Sequence, residues 1–256
     1  MSDPLARFSK RTENYVKYRP GYPECLIEIL KSDCGLTETS LIADVGSGTG
    51  ILTELFLQNG NSVFAIEPNT AMRLAAEDLL KKYAKFKSID AKAEATTLET
   101  KSVDFVTAAQ AFHWFDRRGA KREFARILKP RGWVVLIWNE RRLDSTAFLR
   151  GYEELLLRYG TDYEKVRHEH VTGEIAEFFA PETVEMKILE NAQHFDYQSL
   201  KGRLLSSSYA PEQDHPRFPA MLSELEEIFN ANQREGIVSF EYETKVYCGH
   251  LSRSEG

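Results

Sequence analysis

The residues with the clearest capacity for chemistry lie in Asp44-Val45-Gly46-Ser47-Gly48-Thr49-Gly50, where an apolar run, Leu41 to Val45, feeds three glycines and then an apolar helical pattern, Ile51 to Gln58. Glycines accept positive φ and let a ligand approach the main chain, and the helix that follows presents free N–H groups. Such a loop at the carboxyl end of a strand binds a small molecule. A second apolar run, Val63 to Ile66, ends at Glu67, 21 residues beyond Gly46. A carboxylate there can accept hydrogen bonds from both hydroxyls of a ribose, or be a solvated loop acid. Asn69 reads as a helix N-cap. The nicotinamide alternative is weak, because Ile51 stands where the GxGxxG fingerprint needs its third glycine.

A third set follows the run Val103 to Ala109: Gln110-Ala111-Phe112-His113-Trp114-Phe115-Asp116. His113 is a general base if the reaction needs one, or it fills a pocket wall or caps the next helix. Trp114 and Phe115 line an acceptor pocket or bury area as core residues. Near the N-terminus, Tyr15, Tyr18 and Arg19 make an aromatic and cationic arm, able to close over a ligand or to pack on the sheet. Arg203 and Tyr209 offer a cation and a hydroxyl to an acidic acceptor, or ordinary packing. His168-Glu169-His170 has no nearby third ligand at helical spacing, so it reads as a solvated face and no metal is expected.

These groups need a scaffold. Five short runs, Leu41–Val45, Val63–Ile66, Phe86–Ile89, Val103–Ala109 and Trp133–Trp138, are mostly continuous in apolar character, as in strands covered on both faces. Helical stripes alternate with them, the clearest at Met72, Ala75, Ala76, Leu79, Leu80 and Tyr83; another, Phe124, Ile127 and Leu128, precedes a stop at Lys129-Pro130-Arg131-Gly132. The pattern predicts an α/β, Rossmann-like sheet, mostly parallel. Farther on, Val184, Met186 and Ile188, and then Val238, Phe240, Tyr242, Thr244 and Val246, alternate with other residues as half-buried antiparallel edge strands do. Two more helical stripes, Phe148 to Tyr159 and Phe218 to Phe229, suggest a helical cap. The expected organisation is a single domain over 1–256: an arm and helix at 1–35, a cofactor-binding core at 36–140, a mostly helical cap at 141–235 with an edge strand near 183–190, and a final strand at 236–250.

Composition narrows the partners. With 33 basic and 39 acidic side chains the formal charge is −6, and no basic block offers a grip on phosphate backbones, so nucleic acid is not an expected partner. The longest apolar stretch, six residues at Trp133 to Trp138, cannot cross a bilayer, so no membrane is expected. Three cysteines without a CxxC pair suit a reducing compartment, and a cytoplasmic protein is expected.

Together these residues resemble the class I S-adenosylmethionine-dependent methyltransferases. Asp44 to Gly50 is similar to that family's first motif, Glu67-Pro68-Asn69 through Met72 to its second, and Ala91-Lys92-Ala93-Glu94 through Asp104 to the acidic segment before strand four. Where family members commonly show Gly and then Leu-Pro, this chain has Ala91 and Thr96-Thr97. Gln110 to Asp116, Ile127 to Trp133 and the arm Tyr15 to Pro23 resemble the small-molecule branch that contains trans-aconitate methyltransferase. The resemblance implies S-adenosyl-L-methionine as cofactor. By position, Gly46, Ser47, Gly48 and Gly50 would line its methionine moiety, Glu67 its ribose, Pro68 and Met72 its adenine, and Ala93 and Glu94 the amino edge, with Asp44 among the cofactor-binding residues. Gln110 would also contact the cofactor, and Arg19 would neutralise its carboxylate. Tyr15, Tyr18, His113, Trp114, Phe115, Arg203 and Tyr209 would meet a small-molecule acceptor. The function implied is methyl transfer by in-line displacement, the alternatives being a non-catalytic cofactor-binding module or a nicotinamide-dependent oxidoreductase.

Overall fold

A computed structural model describes residues 17–163, 171–207 and 209–252. In chain order the elements are α1 (Cys25–Cys34), β1 (Leu41–Val45), α2 (Ile51–Gln58), β2 (Ser62–Ile66), α3 (Thr70–Leu80), β3 (Phe86–Ile89) and β4 (Val103–Ala109), followed by a short 3-10 turn, Phe112–Trp114. Then come α4 (Arg117–Ile127), β5 (Leu128–Arg141), α5 (Ala147–Tyr159), α6 (Val171–Phe179), β6 (Val184–Phe195), α7 (Tyr197–Leu205), α8 (Phe218–Asn232) and β7 (Val238–Gly249). The strands form one seven-stranded sheet in the order β3-β2-β1-β4-β5-β7-β6. Strands β1 to β5 pair in parallel, and the edge pair is antiparallel, as the alternating patterns predicted. Among the described residues no helix is long and apolar enough to cross a membrane.

By contacts the chain falls into two compact units. A sheet unit takes residues 21–139, 171–189 and 244–252 of the described chain. Neighbouring residues of one strand point to opposite faces, so the continuous apolar runs serve two cores. Ala43, Val45, Val106, Val134, Leu136 and Trp138 pack on one side with Phe112, Phe124 and Phe178; Ile42, Phe105, Val135 and Ile137 pack on the other with Leu26, Leu30, Leu52 and Phe56. A helical unit takes the described residues of 17–20, 140–163 and 190–243. Its core joins Phe148, Tyr152, Leu155 and Leu156 of α5 to Leu200 and Leu204 of α7, Met221 and Leu225 of α8, and Val238, Phe240 and Tyr242 of β7.

Three local expectations are corrected. Helix α3 stops at Leu80, short of Tyr83, and burial follows Met72, Ala76 and Leu80 while Leu79 is exposed. Tyr83 instead lies in the turn to β3, where its hydroxyl donates to Glu54 Oε1 at 3.0 Å. Strand β5 begins at Leu128 rather than Trp133: Leu128 pairs with Val103, and the register shifts before Trp133 pairs with Phe105, so the Lys-Pro-Arg-Gly segment is a bulge with Arg131 at φ 65°. In β6 the expected apolar set, Met186 and Ile188, is about half exposed, and burial falls on Leu189 and Phe195. An outermost strand has little to cover either face, so its alternation does not fix which side is inward.

Candidate functional site

Strand β1 delivers its last residue to a loop whose shape depends on glycine. Gly46, Gly48 and Gly50 have φ of 68°, 58° and 86°, and Gly50 is the N-cap of α2. The N–H groups of Gly46 and Ser47 both donate to the Ile66 carbonyl, at 2.8 and 3.1 Å, fastening the loop to the end of β2. A Cβ on Gly46 would lie 2.5 Å from the Cβ of Ala111, whereas one on Gly48 would meet nothing within 4 Å. Gly46 is therefore required by packing, and Gly48 presents bare main chain to open space. The hydroxyls of Ser47 and Thr49 are buried without a hydrogen-bond partner among the described residues.

Glu67 follows β2 and is 8% exposed, so it is not a solvated loop acid. Its Oε2 accepts from Gly48 N at 2.9 Å and its Oε1 from Asn69 N at 2.8 Å. Those bonds use two of about four acceptor positions on a carboxylate. Burial pushes its pKa up, against the two N–H bonds and nearby Arg73, which lower it. Asn69 caps α3 as expected, its Oδ1 accepting from Met72 N at 3.1 Å.

Asp44, expected among the cofactor-binding residues, lies near the end of β1 just ahead of the loop. It is buried, with Oδ2 accepting from the Thr53 hydroxyl at 2.6 Å and Oδ1 from the Thr107 hydroxyl at 3.0 Å. Burial raises its pKa to about 6, opposed by those hydroxyls and reinforced by Glu67. Its direct partners are thus α2 and β4, and it braces the loop between them. Neither threonine was singled out from the sequence. The available signal was a hydroxyl inside each of two apolar runs, at Thr53 and Thr107.

The other expected cofactor residues of the sheet unit fall around the carboxyl ends of β2, β3 and β4. Pro68 is half-buried, and Met72 and Ala93 are buried. Glu94 is half-buried, with Oε1 accepting from Asp116 N at 2.8 Å. Thr96, where the family pattern differs, anchors Glu123: its N and Oγ1 donate to Glu123 Oε1 at 2.7 and 2.5 Å. Gln110 leaves β4 at φ 55°, and its Nε2 donates to the Asn139 carbonyl at 3.0 Å. Next to it, Phe112 is buried edge-on to Phe178, Trp138 and Phe115. His113 is half-buried with its ring centroid 4.5 Å from that of Trp114, which is 49% exposed. Phe115 packs on Phe124 and faces Gly46.

The remaining candidates belong to the helical unit. Tyr18 lies on α7, where a Cβ at Gly202 would be 2.1 Å from its ring. Arg19 Nη2 donates to the Ser206 carbonyl at 3.3 Å. Arg203 is buried, with Nη1 donating to the Ser207 hydroxyl at 3.1 Å, and Tyr209 is half-buried against Tyr163. The structure thus brings Tyr18, Arg19 and Arg203 together at α7. Tyr15, His168 and His170 lie outside the described residues.

Residues 43–136 match the family model described as a methyltransferase domain. An uncharacterized methyltransferase of Mycobacterium tuberculosis is 31% identical over 202 residues, covering 79% of this chain and 76% of that protein. Two Schizosaccharomyces pombe relatives, one an uncharacterized methyltransferase and the other methyltransferase-like, are 37% and 33% identical; the chain spans only 53% and 60% of their length, and they cover 52% and 62% of it. Among solved structures, a protein assigned as a type II methyltransferase from Anaeromyxobacter dehalogenans shares the fold at TM-score 0.68 and 20% identity, over 92% of this chain and all of that one. A geranyl diphosphate methyltransferase in complex with S-adenosylmethionine does so at TM-score 0.52 and 11% identity, over 90% of this chain and 85% of that one. The class defined by sheet order and loop is that of a methyltransferase domain. The chain belongs to the class I S-adenosylmethionine-dependent methyltransferase family.

Proposed function

We propose that this chain binds S-adenosylmethionine in the sheet unit and transfers its methyl group to a small-molecule acceptor. The observation that carries this reading is Glu67, buried at the end of β2 with acceptor positions to spare, bonded to the one loop glycine whose outer face is open. The residues present fit the cofactor. Ser47 and Thr49 keep buried hydroxyls without partners, and two buried carboxylates, Asp44 and Glu67, suit a cationic sulfonium better than a neutral ligand. In this reading Gly46, Ser47, Gly48 and Gly50 hold the methionine moiety, Glu67 the ribose, Pro68 and Met72 the adenine with Ala93 and Glu94 at its edge, and Gln110 the end of β4. Asp44 acts through the loop that it braces.

The bound cofactor supplies an electrophilic methyl group. The protein's contribution is to orient the acceptor for in-line attack and to keep water away, for which Trp114 and Phe115 provide apolar walls. An acceptor carboxylate arrives ionised and needs no base. A hydroxyl, phenol or amine gives up a proton, and His113, following the carboxyl end of β4, is placed to take it.

Isothermal titration of the wild type and Glu67→Ala with S-adenosylmethionine tests the binding step. Binding by the wild type, weakened about 10- to 100-fold in the variant, is expected from losing charge-assisted hydrogen bonds. No binding by the wild type would end the proposal. Incubating a metabolite extract with protein and labelled methyl donor, then searching by mass spectrometry for a shifted product, separates an enzyme from a binding module.

A further inference from the structure

The helical unit buries more positive than negative charge. Arg141, at the end of β5, and Arg203, in the last turn of α7, both lie against the ring of Phe240, their guanidinium carbons 6.0 and 5.9 Å from its centroid. The Arg141 side chain is 10% exposed and Arg203 is 7% exposed. Arg141 is matched: its Nη2 pairs with Glu153 Oε2, and the Tyr163 hydroxyl bonds the same two groups, at 3.0 Å to Nη2 and 2.6 Å to Oε2. Arg203 is not, because among the described residues its partners are the Ser207 and Tyr242 hydroxyls and the ring of Phe240, with no carboxylate. Two guanidiniums against one carboxylate leave one positive charge in excess.

A buried ion without a countercharge is strongly unfavourable. The carbonyl end of α7 and the face of Phe240 offset part of that. Donors are also left over: Arg203 Nε, Arg141 Nη1 and the Tyr152 hydroxyl are fully covered and have no partner among the described residues. Arg141 sits 5.1 Å from the centre of the Tyr152 ring, so these donors belong to one cluster. Burial keeps the Tyr152 phenol protonated, hence a donor. A single carboxylate has one negative charge and about four acceptor positions, which complements the excess positive charge and these three donors. A phosphate dianion would overshoot the charge. The aromatic surroundings, Phe148, Tyr152, Phe195 and Phe240, suit an apolar body attached to that group.

We propose that the helical unit is the acceptor-recognition site and that it takes an apolar molecule bearing one carboxylate, anchored by Arg203 and Tyr152 beside the Arg141–Glu153 pair. The acceptor role rests on the methyl-transfer reading; the carboxylate site does not. The anchored carboxylate is the handle, and no bond to it forms or breaks.

The test uses the full chain, with 3-phenylpropionate, succinate and citrate as probes, each against its uncharged amide, by titration calorimetry and thermal unfolding. The wild type is expected to bind and be stabilised by 3-phenylpropionate and not by its amide. Arg203→Met should bind it at least about tenfold more weakly, the loss of a hydrogen bond to a charged group. Without ligand that variant should unfold at the same or a higher temperature, since an unmatched buried charge has been removed. Tyr152→Phe should weaken binding several-fold and leave unfolding unchanged. S-adenosylmethionine titrated into the same samples reports separately on the sheet unit. If no carboxylate outperforms its amide, or if Arg203→Met unfolds well below the wild type, Arg203 is a structural residue and the proposal is wrong.

Discussion

The two units solve the problem of buried charge in opposite senses. The sheet unit buries acids: Asp44 is held by two threonine hydroxyls, and Glu67 by two main-chain N–H groups. The helical unit buries guanidiniums, one matched by Glu153 and one held by hydroxyls and a ring. Neutral dipoles stabilise a buried ion but leave its charge in place, so each unit retains a preference for a ligand of the opposite sign. In the proposed reading one region takes a cation and the other an anion. A donor with a sulfonium and an acceptor with an acidic handle differ in that respect.

The largest effect that separates matched from unmatched charge is expected at Glu153. Glu153→Ala leaves Arg141 without its carboxylate, which should destabilise the fold by about 3–5 kcal/mol in urea unfolding. Arg203→Met should not do so, and equal losses in the two variants would break the distinction. Next is the pH response of the sheet unit. Asp44 titrates at about 6 in the folded chain against 3.8 ordinarily, so the folded state holds its proton more tightly than the unfolded state does. Its contribution is therefore fully present below about pH 3.8 and lost as pH rises through about 6. The span corresponds to about 3 kcal/mol, and Glu67 shifts in the same direction. Unfolding free energies measured from pH 4 to 7 should fall more steeply with pH in the wild type than in Asp44→Asn, and parallel curves would contradict this account. A smaller loss of stability is expected at Gly48. Gly48→Ala has space for its methyl group, so the empty protein should lose only about 1–2 kcal/mol for the left-handed backbone. Binding of S-adenosylmethionine should suffer more than folding does, and an unchanged affinity would show that the open face is not used.

The sheet was legible where burial is two-sided. Apolar runs such as Leu41–Val45 and Val103–Ala109 have no polar face to misplace, and the glycine loop announced its own geometry through residues that accept positive φ. Strand β7 was equally clear, because Val238, Phe240, Tyr242, Thr244 and Val246 are all buried. The same alternation in β6 misplaced the inward face, since an edge strand can bury either set at small cost. The braces of the site were harder to read. Thr53 and Thr107 act on Asp44 from 9 and 63 positions away, and hydroxyls in apolar runs carry no mark of their partner. Arg203 could be singled out by residue type alone. What gives it meaning is Arg141 and Tyr152 around the same ring, with Glu153 on Arg141, a juxtaposition made by four elements with no shared motif.

Tyr18 resting on Gly202 fixes more than one side chain. The Tyr18 carbonyl also accepts from Gln193 Nε2 of β6 at 3.3 Å, and the following residue, Arg19, reaches Ser206, so Tyr18 and Arg19 are fastened to β6 and α7 at a site with no room for even a methyl group. Position 202 thereby becomes a checkpoint for substitution: alanine, harmless or helpful in most helices, would here prise the segment off and loosen the helix that carries Arg203.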